Sequence, residues 1–92
     1  MGKVKVKFFA YFRELFGARE TELELKDGLT LAEFLDRLAQ TSQQRNELFQ
    51  NGRLKTQVVV MVNGSVINPE TVSEVKLEDG STIAIFPLMG GG

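Results

Sequence analysis

The stretch TLAEFLDRL, from Thr30 to Leu38, decides the predicted fold. Thr30 and Glu33 match a capping box, in which the threonine hydroxyl accepts a hydrogen bond from the Glu33 amide and the glutamate carboxylate reaches back. The sequence therefore predicts that a helix begins just after Thr30. The apolar residues of the stretch recur at helical spacing and predict one stripe that packs on a core, formed by Leu31, Phe34, Leu35 and Leu38.

Two strands are predicted on the N-terminal side of this helix. Lys3–Ala10 alternates polar and apolar residues, so its lysines face water while Phe8 faces the core and Phe9 points the opposite way. Thr21–Leu25 alternates in the same manner, and Arg13–Gly17 between them predicts a short helical turn that ends at a glycine. The lysine row is interpreted as a solvated sheet face, because interleaved exposed aromatic residues typical of nucleic-acid binding are missing.

Two further strands and a hairpin are predicted on the C-terminal side. Val58–Val62 is a continuous, mostly β-branched run, which is typical of a central strand buried on both faces. Asn63-Gly64 is a strong hairpin signal and predicts that Ser65–Ile67 returns along that strand. Thr82–Phe86 forms the last predicted strand, which ends at Pro87.

This order of elements predicts an α+β fold of the β-grasp type: a mixed sheet of about five strands crossed by one main helix. Short helices complete it, one of them predicted at Arg45–Phe49. Residues 1–87 are expected to form the β-grasp domain, and residues 88–92 a flexible C-terminal Gly-Gly tail.

Composition limits the possible functions. The 92 residues contain no cysteine and no histidine, which removes disulfides, thiolate nucleophiles, zinc-type metal sites and the usual general base. Eleven basic and twelve acidic residues leave a net charge of −1, so no nucleic-acid partner is expected. No apolar run approaches the ~20 residues of a membrane helix, and no signal peptide is evident. We expect a cytoplasmic protein with no membrane partner.

The end of the sequence, Gly90-Gly91-Gly92, has two interpretations. Three glycines can be a frayed end or a cloning remnant. Alternatively, a tail without Cβ atoms can enter a narrow active site and present the Gly92 α-carboxylate to another protein.

The chain resembles the ubiquitin-like sulfur carriers (the MoaD/ThiS family), and among them most closely the small subunit of molybdopterin synthase. The resemblance is carried by KVKFFA from Lys5 to Ala10 with Arg13-Glu14-Leu15 and Gly17, and by Val62-Asn63-Gly64. It continues in Leu77-Glu78-Asp79-Gly80 and in the ending from Phe86-Pro87 to Gly91-Gly92.

This resemblance implies a chemistry performed on the chain by other proteins. An E1-like adenylating enzyme would activate Gly92 with ATP and magnesium, and a sulfur donor protein would convert it to a thiocarboxylate. Docked on the large subunit of molybdopterin synthase, the tail would then donate its sulfur to a pterin precursor. Gly91 and Gly92 are the implied site residues. The chain itself would bind no cofactor and would not be catalytic alone.

The resemblance also implies a partner-binding surface made by Phe9, Arg13, Val66 and Phe86. From the sequence alone, Val66 and Phe86 are equally well interpreted as core or sheet residues. Phe9 is a stronger candidate, because strand alternation exposes it and an exposed aromatic residue is typical of an interface.

Two other functions share these features. A protein modifier would join Gly92 to substrate lysines through an isopeptide bond, after the same activation. A β-grasp interaction module would bind partners through its folded surface, and its glycines would be incidental.

Overall fold

The chain opens with the predicted strand pair. Strand β1 (Gly2–Phe8) pairs antiparallel with β2 (Glu20–Leu25), and helix α1 (Tyr11–Phe16) lies between them in sequence. Gly17 ends α1 in the left-handed conformation, with φ 72°, as its position predicted. The computed structural model describes residues 2–26 and 28–88.

Helix α2 (Leu31–Leu38) forms where the capping box predicted it. The Glu33 amide donates to the Thr30 hydroxyl at 3.2 Å, and the Thr30 amide donates to the Glu33 carboxylate at 3.0 Å. The predicted stripe faces the core: each of its members is at most 6% exposed, namely Leu31, Phe34, Leu35 and Leu38.

The next segment differs from its prediction. Helix α3 spans Ser42–Leu48, so the helix predicted at Arg45–Phe49 begins three residues earlier. A second capping box causes this, because the Gln44 amide donates to the Thr41 hydroxyl at 3.0 Å and the Thr41 amide donates to the Gln44 carboxamide oxygen at 3.3 Å. Phe49 leaves the helix and joins a hairpin of β3 (Phe49–Gln50) and β4 (Arg53–Leu54).

The remaining elements complete a five-stranded sheet. Strand β5 (Val58–Val62) turns through Asn63-Gly64 into the short β6 (Ser65–Val66), which confirms the predicted hairpin. A 3₁₀ helix at Pro69–Thr71 follows, and β7 (Thr82–Pro87) is the last strand. The sheet order is β2-β1-β7-β5-β6, in which only the β1–β7 pair is parallel. The predicted β-grasp fold with a mixed sheet of about five strands is confirmed.

The prediction for Val58–Val62 is correct about its position in the sheet and wrong about its burial. Strand β5 is an interior strand, with β7 on one side and β6 on the other. Val58 and Val60 are at most 3% exposed on one face, but Val59 and Met61 are half-buried on the other. The helices cover one side of the sheet, so an apolar run does not by itself indicate burial on both sides.

The capping box of α2 makes stability depend on pH. Hydrogen bonds from the Thr30 amide and hydroxyl lower the pKa of Glu33 in the folded chain. The ionised carboxylate therefore stabilises the fold above its unfolded pKa of about 4.3, and this contribution is lost as the pH falls through the lower folded value. Urea unfolding should show that the native chain exceeds Glu33→Gln in stability at neutral pH, and that the difference shrinks below about pH 4.

Glu33→Gln isolates the charge, because glutamine can also complete a capping box. Thr30→Ala serves as the control that removes the cap itself, at a cost of about 1 kcal/mol near neutral pH. Native and Glu33→Gln stability curves that run parallel across this pH range would contradict the assignment.

Candidate functional site

The outer face of the sheet, opposite the helices, is divided into two halves. Over β1 and β2 it is charged, with Lys3, Lys5 and Lys7 beside the glutamates of β2. Over β7, β5 and β6 it is apolar. The register places Val59 opposite Phe86, and Met61 between Ala84 and Val66. We define the apolar face as these residues together with the adjacent Phe9: Phe9, Val59, Met61, Val66, Ala84 and Phe86.

Phe9 and Phe86 form an aromatic pair at the β1 side of this face. Phe8 is buried at 1% exposure, whereas Phe9 is 37% exposed, which confirms the predicted alternation. The rings of Phe9 and Phe86 meet edge to face, with centroids 5.8 Å apart and an interplanar angle of 89°. They meet because β1 and β7 are parallel neighbours, with Phe8 opposite Ile85.

Arg13 borders the face at Phe9. Its guanidinium carbon lies 5.5 Å from the centroid of the Phe9 ring, a cation–π distance. Its Nε also donates to the carbonyl oxygen of Phe8 at 3.0 Å, which holds the guanidinium in place. Arg13 therefore fixes one side of the Phe9 ring and places a positive charge at the rim of the apolar face.

A strained turn sets the direction of Phe9. Ala10 has φ 53° and ψ −129°, a combination that favours glycine and is costly for alanine. The Phe12 amide donates to the Phe9 carbonyl at 3.1 Å and closes the turn. The chain thus leaves β1 abruptly, and Phe9 remains on the outer face beside Phe86 instead of following α1.

Val66 lies on the same face but at its far edge. It is 67% exposed and pairs with Met61 across the β5–β6 hairpin. Met61 in turn lies opposite Ala84 on β7. The four predicted partner-binding residues therefore belong to one surface: Arg13 and Phe86 both contact Phe9, and Val66 is connected to Phe86 through Met61 and Ala84.

The chain leaves the sheet at the end of this face. Pro87 is still paired with Val58, and the Leu88 amide donates to the Gln57 carbonyl at 2.7 Å. Leu88 itself is 57% exposed. The predicted site residues Gly91 and Gly92 lie outside the described residues.

An open, mainly apolar pocket of about 270 Å³ lies beside this exit. Tyr11, Glu47, Lys55 and Pro87 are among its lining residues, and the Lys55 ammonium is 3.8 Å from the Glu47 carboxylate. Interaction of the Tyr11 hydroxyl with that carboxylate raises the pKa of Tyr11. The phenol therefore stays protonated at neutral pH, with the Glu47 carboxylate as its hydrogen-bond acceptor.

Sequence reasoning missed part of the site. Val59, Met61 and Ala84 widen the apolar face. The signal for Val59 and Met61 was the unbroken apolar run of β5, which was interpreted as buried on both sides. The Tyr11 and Lys55 side chains lie near Glu47 because of the tertiary fold, and no local sequence pattern predicted this contact. Within residues 2–26 and 28–88, no cluster of acidic side chains could hold a metal ion, and no helix could span a membrane.

A protein-family model and a known protein both match nearly the whole chain. The model of the ThiS family matches residues 6–92. Small archaeal modifier protein 3 of Haloferax volcanii is 29% identical over 91 residues, which cover 98% of this chain and 99% of that protein.

Several solved structures share the fold. A putative molybdopterin converting factor, subunit 1, from Pyrococcus furiosus is 29% identical, with a TM-score of 0.75 over 95% of this chain and 98% of that one. A chain of the BexX/CysO complex of Amycolatopsis orientalis is 25% identical, with a TM-score of 0.74 over 97% of this chain and 99% of that one.

Proposed function

The chain belongs to the ThiS family of ubiquitin-like proteins, and from that premise we propose that it is a sulfur carrier whose Gly92 α-carboxylate is converted to a thiocarboxylate. One observation supports this most directly. The central strand of the sheet runs along the apolar face and delivers the chain, through Pro87 and Leu88, to the residues just before Gly90–Gly92. A partner that covers the apolar face would therefore have the glycine tail beside it.

The proposed chemistry takes place in the partners. A carboxylate is a poor acyl donor, so an E1-like adenylating enzyme first joins Gly92 to AMP, using ATP and magnesium and releasing pyrophosphate. The terminal sulfur of a persulfide on a sulfur donor protein then displaces AMP. A further thiol reduces the resulting acyl disulfide and releases the thiocarboxylate. No residue of this chain has to act as an acid or base.

The apolar face is the proposed docking surface for the adenylating enzyme. Phe9 and Phe86 offer a rigid aromatic pair, which is the kind of anchor that dominates interface energies. Arg13 at the rim adds a fixed positive charge, so an acidic group on the partner would favour correct orientation. The charged half of the sheet, over β1 and β2, would stay outside the contact.

As the recipient of the sulfur we propose a pterin precursor, with this chain acting as the small subunit of molybdopterin synthase beside its large subunit. The putative molybdopterin converting factor from Pyrococcus furiosus, at 29% identity, favours this role. The large subunit would dock on the same apolar face and enclose the tail.

Intact-protein mass spectrometry tests the proposal. Incubation with the cognate adenylating enzyme, ATP, magnesium and a sulfur donor should add the mass difference between one sulfur and one oxygen atom. Fragmentation should place that difference at Gly92. If no pyrophosphate is released and the mass stays unchanged with any cognate adenylating enzyme, the proposal is wrong.

A second candidate function is protein modification, in which Gly92 is joined to substrate lysines. It is favoured by the 29% identity with a small archaeal modifier protein over almost the whole chain. Met89→Arg would let trypsin leave a Gly-Gly-Gly branch on any modified lysine, after a check that the variant is still activated. Absence of such branches from cells under all growth conditions tested would rule this function out.

Docking on the apolar face makes a specific prediction for Val66→Asp. Val66 is 67% exposed, so the substitution should change the free energy of unfolding by no more than about 0.5 kcal/mol. A buried carboxylate at the interface should, however, raise the KM of the adenylating enzyme for this chain at least about tenfold. Steady-state pyrophosphate release measures the effect.

Asn46→Asp is the matched control, because it adds the same charge to an exposed residue on the helical side. It should leave KM within about twofold of the native value. Equal effects of the two substitutions would mean that net charge, and not the apolar face, governs docking.

A further inference from the structure

Among the described residues, β2 is an edge strand of the sheet, with β1 on one side and no strand on the other. All six residues of β2, Glu20–Leu25, pair with β1 on their inner side. The Phe8 amide donates to the Arg19 carbonyl at 2.8 Å, and the Lys5 amide donates away from β2, to the Ser81 carbonyl at 3.0 Å. Since these bonds alternate along an antiparallel pair, the backbone N–H and C=O groups that point off the sheet belong to Glu20, Glu22 and Glu24.

The side chains of β2 divide in the same regular way. On the outer face Glu20, Glu22 and Glu24 are exposed and spaced about 7 Å apart. On the inner face Thr21 and Leu23 are half-buried and line a cavity of about 170 Å³. Apolar side chains and two glutamines form the rest of that cavity, namely Phe8, Phe16, Ala18, Leu38, Gln40 and Gln44.

We propose that this edge binds an extended segment of a partner protein in which lysine or arginine alternates with aliphatic residues, and that the segment adds a sixth strand beside β2. Its backbone would bond the free N–H and C=O groups of the three glutamates. Its basic side chains would lie beside their carboxylates. One aliphatic side chain would enter the cavity under Thr21 and Leu23.

Strand β1 shows that this chemistry fits β2. It has the sequence Lys3-Val4-Lys5-Val6-Lys7-Phe8 and already pairs with β2 on the inner side. The ammonium groups of Lys3 and Lys5 each lie 3.8 Å from a glutamate of β2. A second basic strand on the other side would give each carboxylate cations on both flanks.

The charges also decide between possible occupants. A second copy of this chain, joined through its own β2, would place two rows of glutamate against each other and would be repelled. An acidic or uncharged segment would gain only the backbone bonds. Exposed ion pairs contribute little free energy each, so the glutamates act mainly as a filter for basic sequence.

A peptide of sequence KVKVKF, copied from Lys3–Phe8, is the probe for a nuclear magnetic resonance titration of the labelled chain. Binding at this edge should shift the resonances of β2 and slow amide hydrogen exchange at Glu20, Glu22 and Glu24 at least about tenfold. The peptide EVEVEF is the matched control and should cause neither effect. Equal binding of both peptides, or shifts away from β2 with no slowed exchange, would overturn the proposal.

Glutamine and proline variants separate the backbone from the charges. Glu22→Gln removes one carboxylate and should weaken peptide binding only slightly. Glu22→Pro removes the outward N–H group as well, a change that an edge strand tolerates, and should weaken peptide binding at least about tenfold. If that variant does not fold, the triple change of Glu20, Glu22 and Glu24 to glutamine should weaken binding to a similar extent. Unchanged affinity in the triple variant would overturn the proposed recognition of basic segments.

These measurements use the free chain and no adenylating enzyme, so they do not depend on the sulfur-carrier proposal. Val66→Asp, on the apolar face, should bind the peptide as the native chain does. Failure at the β2 edge would leave the proposed activation of Gly92 untouched, and failure of activation would leave the β2 edge untouched.

Discussion

A chain that lacks Gly91 and Gly92 is expected to fold like the native protein and to form no detectable thiocarboxylate. The last backbone hydrogen bond of the described chain, from the Leu88 amide to the Gln57 carbonyl, lies before the deleted residues. The free energy of unfolding should therefore change by no more than about 0.5 kcal/mol. Mass spectrometry after incubation with the adenylating enzyme, ATP and sulfur donor measures the loss.

The deletion tests the length of the tail and not the chemical reactivity of its terminal carboxylate. The truncated chain ends in the carboxylate of Gly90, which has the same intrinsic reactivity as that of Gly92. Its arm is shorter by two residues, which is up to about 7 Å of extended chain. An adenylating site that encloses the tail should not reach across that distance, so we expect complete loss of activation.

Two substitutions provide the controls for this deletion. Gly91→Val keeps the length but adds a branched side chain, and should also abolish activation if the tail passes a constriction. Gly90→Ser keeps the length with a small side chain and should retain most activity. A truncated chain that is activated at the native rate would contradict the role assigned to Gly91 and Gly92.

Local signals predicted most of the secondary structure correctly. The capping box at Thr30 and Glu33, the glycine that ends α1 and the Asn63-Gly64 turn all act within a few residues. Their physics is independent of the rest of the fold, so the sequence alone suffices. The resemblance to the ubiquitin-like sulfur carriers is likewise confirmed, because the family model covers residues 6–92.

The wrong predictions concern the burial of β5 and the segment from α3 to β4. The apolar sequence of Val58–Val62 is consistent with burial on both faces of the strand. It does not indicate that helices cover only one face of the sheet. The start of α3 was predicted three residues too late, because the capping box of Thr41 and Gln44 was not recognised in a run of polar residues. Asn51-Gly52, with φ of 53° and 77°, forms the turn between β3 and β4, a hairpin that was not predicted.

The candidate site depends on contacts between distant parts of the chain. Phe9 and Phe86 are far apart in sequence and meet because β1 and β7 pair in parallel. Strand alternation predicted that Phe9 is exposed, but only the sheet order shows that Phe86 lies beside it. Val66 joins the same surface through the hairpin register. The predicted role of Gly92 stays a prediction, since that residue lies outside the described chain.

The second large effect is expected for Ile85→Ala, which should cost about 2–5 kcal/mol of unfolding free energy. Ile85 is fully buried on the central strand, where it lies between Phe8 of β1 and Val60 of β5. Removing its side chain leaves a cavity that the paired strands on both sides prevent from collapsing. For a chain of 92 residues, each kcal/mol lowers Tm by roughly 4–8 °C, which differential scanning calorimetry resolves.

Ile85 and Phe86 are adjacent but point to opposite faces of one strand, so their variants should separate folding from docking. Ile85→Ala should be activated normally at any temperature at which it is folded, because its side chain does not reach the apolar face. Phe86→Ala should lose docking with a smaller loss of stability, since its ring is only half-buried. Ile85→Val, at about 0.5–1.5 kcal/mol, keeps the comparison possible if the alanine variant does not fold. If folded Ile85→Val is poorly activated while Phe86→Ala is activated at the native rate, docking does not use the apolar face.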